Sequence, residues 1–204
     1  MKLQYWLNDK YLTENKINSL RRSFMKKSQF SFLELQDFLR RDKAKIIFKA
    51  LLKEKFYHKE SDLFKMKQTN DFFSTNNKIL GQFRKFLTSG EFLDYLQKIT
   101  NTNLRKKIDV NGSMYKSTDF LLPHDDRLEG RKIAFFYYLS NMDSKKGGRL
   151  KLFSSKSNVP VKVSKYIVPK FNKFAFFKVS SKSWHEVEEV KKGRRLAISG
   201  WFHG

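Results

Sequence analysis

The stretch that most constrains the fold is Lys132–Leu139, which is apolar on both of its faces. Successive side chains of a strand point to opposite sides, so such a strand must lie between two layers. Other short strands accompany it. Arg149–Phe153 alternates after Gly147-Gly148, Pro160 and Pro169 bracket another segment, and Lys173–Val179 is rich in phenylalanine. Trp184–Val190 and Arg194–Phe202 flank Lys191-Lys192-Gly193, which reads as a hairpin turn. Many short strands with regular turns imply a sandwich or barrel. The pattern starts beyond Asn101.

Upstream the period changes. Thr13–Lys27 places Ile17, Leu20, Phe24 and Met25 at helical spacing. Gln29–Phe38 is read as a strand because Phe30 and Phe32 alternate with polar residues. Asp42 can cap a helix over Lys43–Tyr57 that turns Ile46, Ile47, Ala50 and Leu51 inward. Leu63–Gln68 alternates as a strand, with Phe64 and Met66 on one side. Ile79, Leu80, Phe83, Phe86 and Leu87 mark an amphipathic helix, and Glu91–Ile99 a further one. The chain is therefore mainly β with supporting helices, and its 204 residues suit one domain. Residues 1–100 are mostly helical support with early strands, and residues 101–204 are the β core.

Chemistry converges on Leu121-Leu122-Pro123-His124-Asp125-Asp126. Residues i and i+2 of a strand share a face, so His124 and Asp126 can offer an imidazole and a carboxylate to one cation. A lone His-x-Asp is common by chance, and a third ligand is needed from His58, His185 or His203. His185 is the best placed, because an arginine and the turn follow it. Two histidines and one carboxylate leave open positions on a metal, which suits non-haem Fe(II) oxygenases. Arg195, Ala197, Ser199 and Trp201 share one face of the last strand. Arg195 directed inward would be a costly charge unless an anion meets it. A small dicarboxylic co-substrate supplies that anion, gripped bidentately, with the Ser199 hydroxyl adding a hydrogen bond.

These residues carry a resemblance. His124 to Arg131 (His-Asp-Asp-Arg-Leu-Glu-Gly-Arg), the buried strand, Gly147-Gly148-Arg149-Leu150, Trp184-His185-Glu186-Val187 and the run Arg195 to Gly204 resemble the 2-oxoglutarate/Fe(II)-dependent prolyl hydroxylases. Within them the chain is most similar to the branch that hydroxylates a proline of a small-subunit ribosomal protein. The likeness covers residues 29–204 and is strongest after Tyr115. It implies a double-stranded β-helix (a jelly-roll or cupin-like barrel). It also implies iron on His124, Asp126 and His185, and the distal carboxylate of 2-oxoglutarate on Arg195. Tyr115, Tyr138 and Ser199 are the further implied co-substrate contacts. The implied cofactors are Fe(II), 2-oxoglutarate and, as an added reductant, ascorbate. Members of that branch commonly carry a second, non-catalytic β-helix domain, and this chain stops at Gly204, so its recruitment contacts are expected to be absent or replaced. Asn141-Met142-Asp143 stands where a tryptophan is usual, so the rim of the site is expected to differ. The alternatives are a ribosome- or RNA-binding protein with an inactive β-helix, or an oxygenase acting on another protein or on nucleic acid.

The charge is +23, which suits polyanions, RNA above all, although an AT-rich genome produces the same lysine and phenylalanine bias. The acids cluster. Asp119, Asp125, Asp126 and Glu129 surround the first ligands, and Glu186, Glu188 and Glu189 follow the third, giving an expected acidic rim for a basic, proline-containing protein substrate. Asn141–Lys182 holds eleven basic residues against Asp143, giving an expected basic flank for RNA. No cysteine is present, and no apolar run approaches the ~20 residues of a membrane helix. Asn8 and Asp9 interrupt any signal-peptide core. The expected place is cytoplasmic or nuclear, with no membrane partner and no secretion.

Overall fold

Antiparallel pairing organises the chain, which a computed structural model describes for residues 2–26 and 30–204. The helices are α1 (Leu3–Trp6), α2 (Glu14–Met25), α3 (Arg41–Leu51), α4 (Lys78–Leu87) and α5 (Gly90–Thr100). The strands are β1 (Phe32–Gln36), β2 (Tyr57–Ser61), β3 (Phe64–Gln68), β4 (Ile108–Tyr115), β5 (Phe120–His124) and β6 (Arg131–Tyr138). They continue with β7 (Leu150–Lys156), β8 (Val159–Ile167), β9 (Lys173–Lys178), β10 (His185–Val187) and β11 (Arg195–His203). A major sheet runs β1-β9-β6-β11-β4 and a minor one β5-β10-β7-β8. Between them β3 pairs with both β4 and β5, and carries β2 on its hairpin. This arrangement is a double-stranded β-helix.

Two cores share the strands of the major sheet. On β6, Ile133, Phe135 and Tyr137 face the helices, while Ala134, Phe136 and Tyr138 face the minor sheet. On β11, Leu196, Ile198 and Phe202 face the helices, and Ala197 and Trp201 face inward. The both-faces-apolar reading of Lys132–Leu139 therefore identifies the strand between two layers. The helices are set by local chemistry. Thr13 accepts from Lys16 N at the start of α2, Asn77 from Ile79 N and Leu80 N at α4, and Ser89 from Phe92 N at α5. Deleting any of the fully buried phenylalanines packed there would cost about 3–5 kcal/mol.

Four expectations are corrected. In α3, Asp42 lies inside the first turn, with Arg40 at the cap position, and forms exposed ion pairs with Arg40 and Lys43. That helix ends at Leu51, because Tyr57–Ser61 is drawn into pairing with β3, which outweighs helical propensity. Ile46 is 43% exposed and Met25 52%, since each falls outside the stripe that meets the core. The Lys191-Lys192-Gly193 turn is not a hairpin. β10 pairs with β5 and β7 in the minor sheet, while β11 pairs with β4 and β6 in the major one, so the turn carries the chain between sheets. Lys27 and Gln29, the expected limits of the second helix and first strand, lie outside the described residues.

Candidate metal centre

Three ligand atoms meet where the minor sheet faces the barrel interior. His124 ends β5 and His185 opens β10, and the two are direct register partners, with ring centroids 4.1 Å apart. Asp126 lies beyond the end of β5 in a left-handed conformation, φ 62°, which aspartate adopts more readily than most residues. The convergence of His124 and Asp126 is thus made by a turn and not by strand period, a correction to the i, i+2 argument. Asp126 Oδ1 is 3.4 Å from His124 Nε2, and Oδ2 is 3.2 Å from His185 Nε2. One ligand atom from each of the three residues lies within 4.8 Å of the others, as a metal ion requires.

The backbone orients both rings. His124 Nδ1 is 2.8 Å from Leu122 O, and His185 Nδ1 is 2.8 Å from Ser183 O. A carbonyl can only accept, so each Nδ1 carries the proton. A neutral imidazole then presents its Nε2 lone pair to Asp126, and three electron-rich atoms face one space. Burial works against an ionised Asp126, but protonated His185 and His124 outweigh it and hold the carboxyl well below its usual range; a metal ion in the same space would take the place of those protons. A cation is the natural occupant of that arrangement. Phe136 and Phe177 wall His185, at ring distances of 6.2 and 4.7 Å.

Arg195 is fully buried, and among the described residues none of its three guanidinium nitrogens has a hydrogen-bond partner. Its guanidinium carbon sits 4.9 Å from the Tyr115 ring centroid, 5.1 Å from Tyr138 and 5.8 Å from Phe136. The Tyr138 hydroxyl beside it is also buried and has no acceptor among the described residues. Burial pushes both tyrosines up to about 12, with the Arg195 charge opposing it, so both remain hydroxyl donors. A planar cation and a phenol that lack every acceptor form a receptor for a carboxylate. Gly148 closes this box; a Cβ there would come 3.4 Å from Arg195 Cδ and 3.3 Å from Met142 Cε. Gly147, at φ 71°, lies so close to Glu189 O that a Cβ would collide with it, so no other residue fits.

A cavity of about 60 Å³ is lined by His124, Asp126, His185, Tyr115, Ser113 and Ser199, among others. Residues 110–203 match the family model described as the 2OG-Fe(II) oxygenase superfamily. That region is similar to a 2OG-Fe(II) oxygenase domain. The chain is similar to Prolyl 3-hydroxylase OGFOD1 of Mus musculus, 38% identical over 178 residues, covering 85% of this chain and 32% of the mouse protein. It is also similar to the Xenopus laevis protein of that name, 40% identical over 177 residues, covering 85% and 34% respectively. The chain thus spans about a third of the length of these curated relatives. Among solved structures, a prolyl hydroxylase from Trichoplax adhaerens, in complex with a hypoxia inducible factor peptide fragment, aligns with TM-score 0.72 at 17% identity. It covers 96% of both chains, and it shares the fold.

An oxygenase site of the matched kind takes Fe(II) and 2-oxoglutarate, and the residues present fit both. The His-Asp-His donor set matches the metal, and the orphaned Arg195 with Tyr138 matches a carboxylate. Ser199 is placed otherwise than expected. It lies four residues along β11 from Arg195, about 13 Å of strand, and its Oγ is 3.3 Å from Ser113 Oγ on the wall of the metal cavity. Met142, in the loop before the paired glycines, is buried against the second core.

The charge pattern at the mouth also changes. Asp119 is buried and caps its own turn through Lys116 N. Asp125 is bound by Arg127, Glu186 by Lys151, and Glu188 by both arms of Arg149. Lys165 and Lys173 pair with Glu34. Among the described residues, Glu129 and Glu189 are the acids of these two clusters that form no ion pair, and the same pairs partly neutralise the basic segment. Sequence reasoning misses Met66 and Gln68, cavity-lining residues brought by β3 from some fifty residues upstream, for which no local signal exists. It also misses Trp201 stacked under the Arg131 guanidinium at 3.5 Å.

Proposed function

We propose that the chain is an Fe(II)- and 2-oxoglutarate-dependent dioxygenase that hydroxylates a prolyl residue of a protein, a small-subunit ribosomal protein being the preferred substrate. The observation that carries this reading is the pairing of an intact His124-Asp126-His185 set with a buried Arg195 that has no partner of its own. The names of the curated relatives favour carbon 3 of the proline ring. Fe(II) held there, with 2-oxoglutarate and dioxygen, supplies an oxidant strong enough to insert oxygen into an unactivated C–H bond, with release of succinate and carbon dioxide.

The remaining work falls to this chain's residues. His124, Asp126 and His185 hold the metal on one side and leave the other open. Arg195 and Tyr138 grip the distal carboxylate and fix which end of the co-substrate faces the metal. Tyr115 lies between the Arg195 box and the cavity and donates a hydrogen bond to the co-substrate, while Ser199 and Ser113 line the cavity at the metal end. Phe136 and Phe177 keep water from His185. Residues 1–204 act as one catalytic domain, with 1–100 supporting the β core. Ascorbate serves as the reductant that maintains the ferrous state. Among the described residues, no helix is long and apolar enough to cross a membrane, and a cytoplasmic or nuclear place suits a ribosomal substrate.

The test is incubation of the protein with Fe(II), 2-oxoglutarate and isolated small-subunit ribosomal proteins, read by intact mass. A gain of one oxygen on one protein, mapped to a proline, is the expected result. Succinate release without any prolyl product would retain the oxygenase and remove the proposed substrate.

A further inference from the structure

We propose that the outer face of α3, with the loop leading into α4, is a binding surface for single-stranded RNA, separate from the iron site and independent of the activity assigned to it. The starting point is a spacing: Arg41, Lys45, Lys49 and Lys53 recur every fourth residue. A helix rises 1.5 Å per residue, so the first three form a row with steps of about 6 Å, and Lys53 continues it just past the helix end. All four are exposed. Steps of that size are comparable with the separation of successive phosphates along an extended strand. Among the described residues none of the four has an ion-pair partner, and the nearby Asp42 is engaged by Arg40 and Lys43. This contrasts with Arg149, Lys151 and Lys165, whose charges are met by Glu188, Glu186 and Glu34.

A second observation points to bases and not only to phosphates. Phe73 is 79% exposed, although its neighbour Phe72 is buried. Its backbone is held in place, since Phe73 N donates to Asp71 Oδ1 at 2.7 Å. The Arg84 guanidinium carbon lies 4.9 Å from the ring. A fixed aromatic ring left in water beside a stacked cation is a platform for a base, which offers a π-face whatever its identity. Phe73 and Arg84 line a groove of about 360 Å³, which shares Thr75, Asn76 and Asn77 with a second of about 210 Å³ reaching Lys55 and Tyr57. Asn77 joins this floor to α3 by donating to Ala50 O at 3.3 Å. Asn77 thus ties the floor of the grooves to the last turn of α3, where Lys49 and Lys53 flank Ala50 in the chain.

That surface is on the far side of the major sheet from the metal ligands. Leu51 of α3 sits directly over Gly112, where a Cβ would come 2.5 Å from Leu51 Cδ1, whereas Ser113 and Tyr115 of the same strand line the cavity. An acidic protein segment would use the row but gain nothing particular from Phe73. Single-stranded RNA uses both.

The experiment measures binding of a short fluorescein-labelled oligouridylate to the full chain by anisotropy over a range of KCl. Lys45→Glu combined with Lys49→Glu should lower affinity at least tenfold. It should also flatten the log–log salt dependence by about 1.4, at ~0.7 for each phosphate left without its lysine. Phe73→Ala should lower affinity about fivefold or more with little change in slope. Lys156→Glu with Lys162→Glu, on the β7–β8 hairpin, should change neither. An unaffected Phe73→Ala, or a hairpin pair as damaging as the α3 pair, would overturn the assignment. So would displacement of the RNA by polyglutamate at equal charge concentration, which would make the partner an acidic protein. Succinate release, measured on the same variants, reports the iron site separately and is expected to match the parent.

Discussion

The two ends of the site are held in opposite ways. At the metal end, every ligand is oriented by the backbone: Leu122 O and Ser183 O fix the two imidazoles, and a left-handed turn fixes Asp126. At the Arg195 end, no carboxylate or carbonyl of the described residues accepts from the guanidinium, which is held among the Tyr115, Tyr138 and Phe136 rings. One end has its ligands oriented, with the buried His185 Nε2 still lacking a partner that a cation would supply. The other carries a buried charge whose solvation has been removed and not replaced. Iron and co-substrate should therefore answer differently to mutation.

The largest effect is expected at the metal end. Asp126→Ala removes the only anion among the three ligands and should abolish 2-oxoglutarate turnover, with circular dichroism unchanged. Succinate production at the parent's rate would remove the metal assignment. Arg195→Met comes next and tests the comparison directly. It should weaken 2-oxoglutarate binding by about 2–5 kcal/mol while leaving Fe(II) affinity near the parent's. Because the charge is unpaired without co-substrate, the same variant should raise the Tm of the ligand-free protein, at about 2–4 °C per kcal/mol regained. A fall in Tm would show that the guanidinium is solvated or paired after all. The smallest effect belongs to the rim. Asp125→Lys with Glu129→Lys should raise the KM for a basic proline-containing peptide only about two- to threefold, since Asp125 is already bound to Arg127. 2-Oxoglutarate turnover without peptide should be unchanged. A tenfold or larger rise in KM would restore the acidic rim as a determinant.

Legibility follows the range of the forces involved. β6 and β11 are readable because their two-sided burial is written in consecutive residues. The ligand trio and Arg195 are readable as residue types, and the structure brings them within one barrel. Their geometry is not readable. The left-handed Asp126 depends on how β5 ends, and the partner of His185 depends on which sheet β10 joins. Lys191-Lys192-Gly193 looks like a hairpin because the local chemistry of a turn is the same whether the chain folds back or crosses over. A shared face suggests Ser199 beside Arg195, yet a shared face says nothing of distance along the strand. The charges mislead for a related reason: Glu186, Glu188 and Glu34 are distant in sequence from the bases that neutralise them.

The barrel is closed unequally. β11 is held by eight register pairs to β4 and seven to β6, whereas β3 joins the sheets with two pairs to β4 and two to β5. The same short strand brings Met66 and Gln68 to the cavity wall. Opening a segment needs only the free energy of the interactions it breaks, so this seam parts far below the energy of global unfolding. Amide hydrogens of Phe64–Gln68 will then exchange with solvent long before those of Ile133–Tyr138. The molecule behaves as a clasp with one stiff jaw, hinged on a strand that touches each jaw through only two pairs.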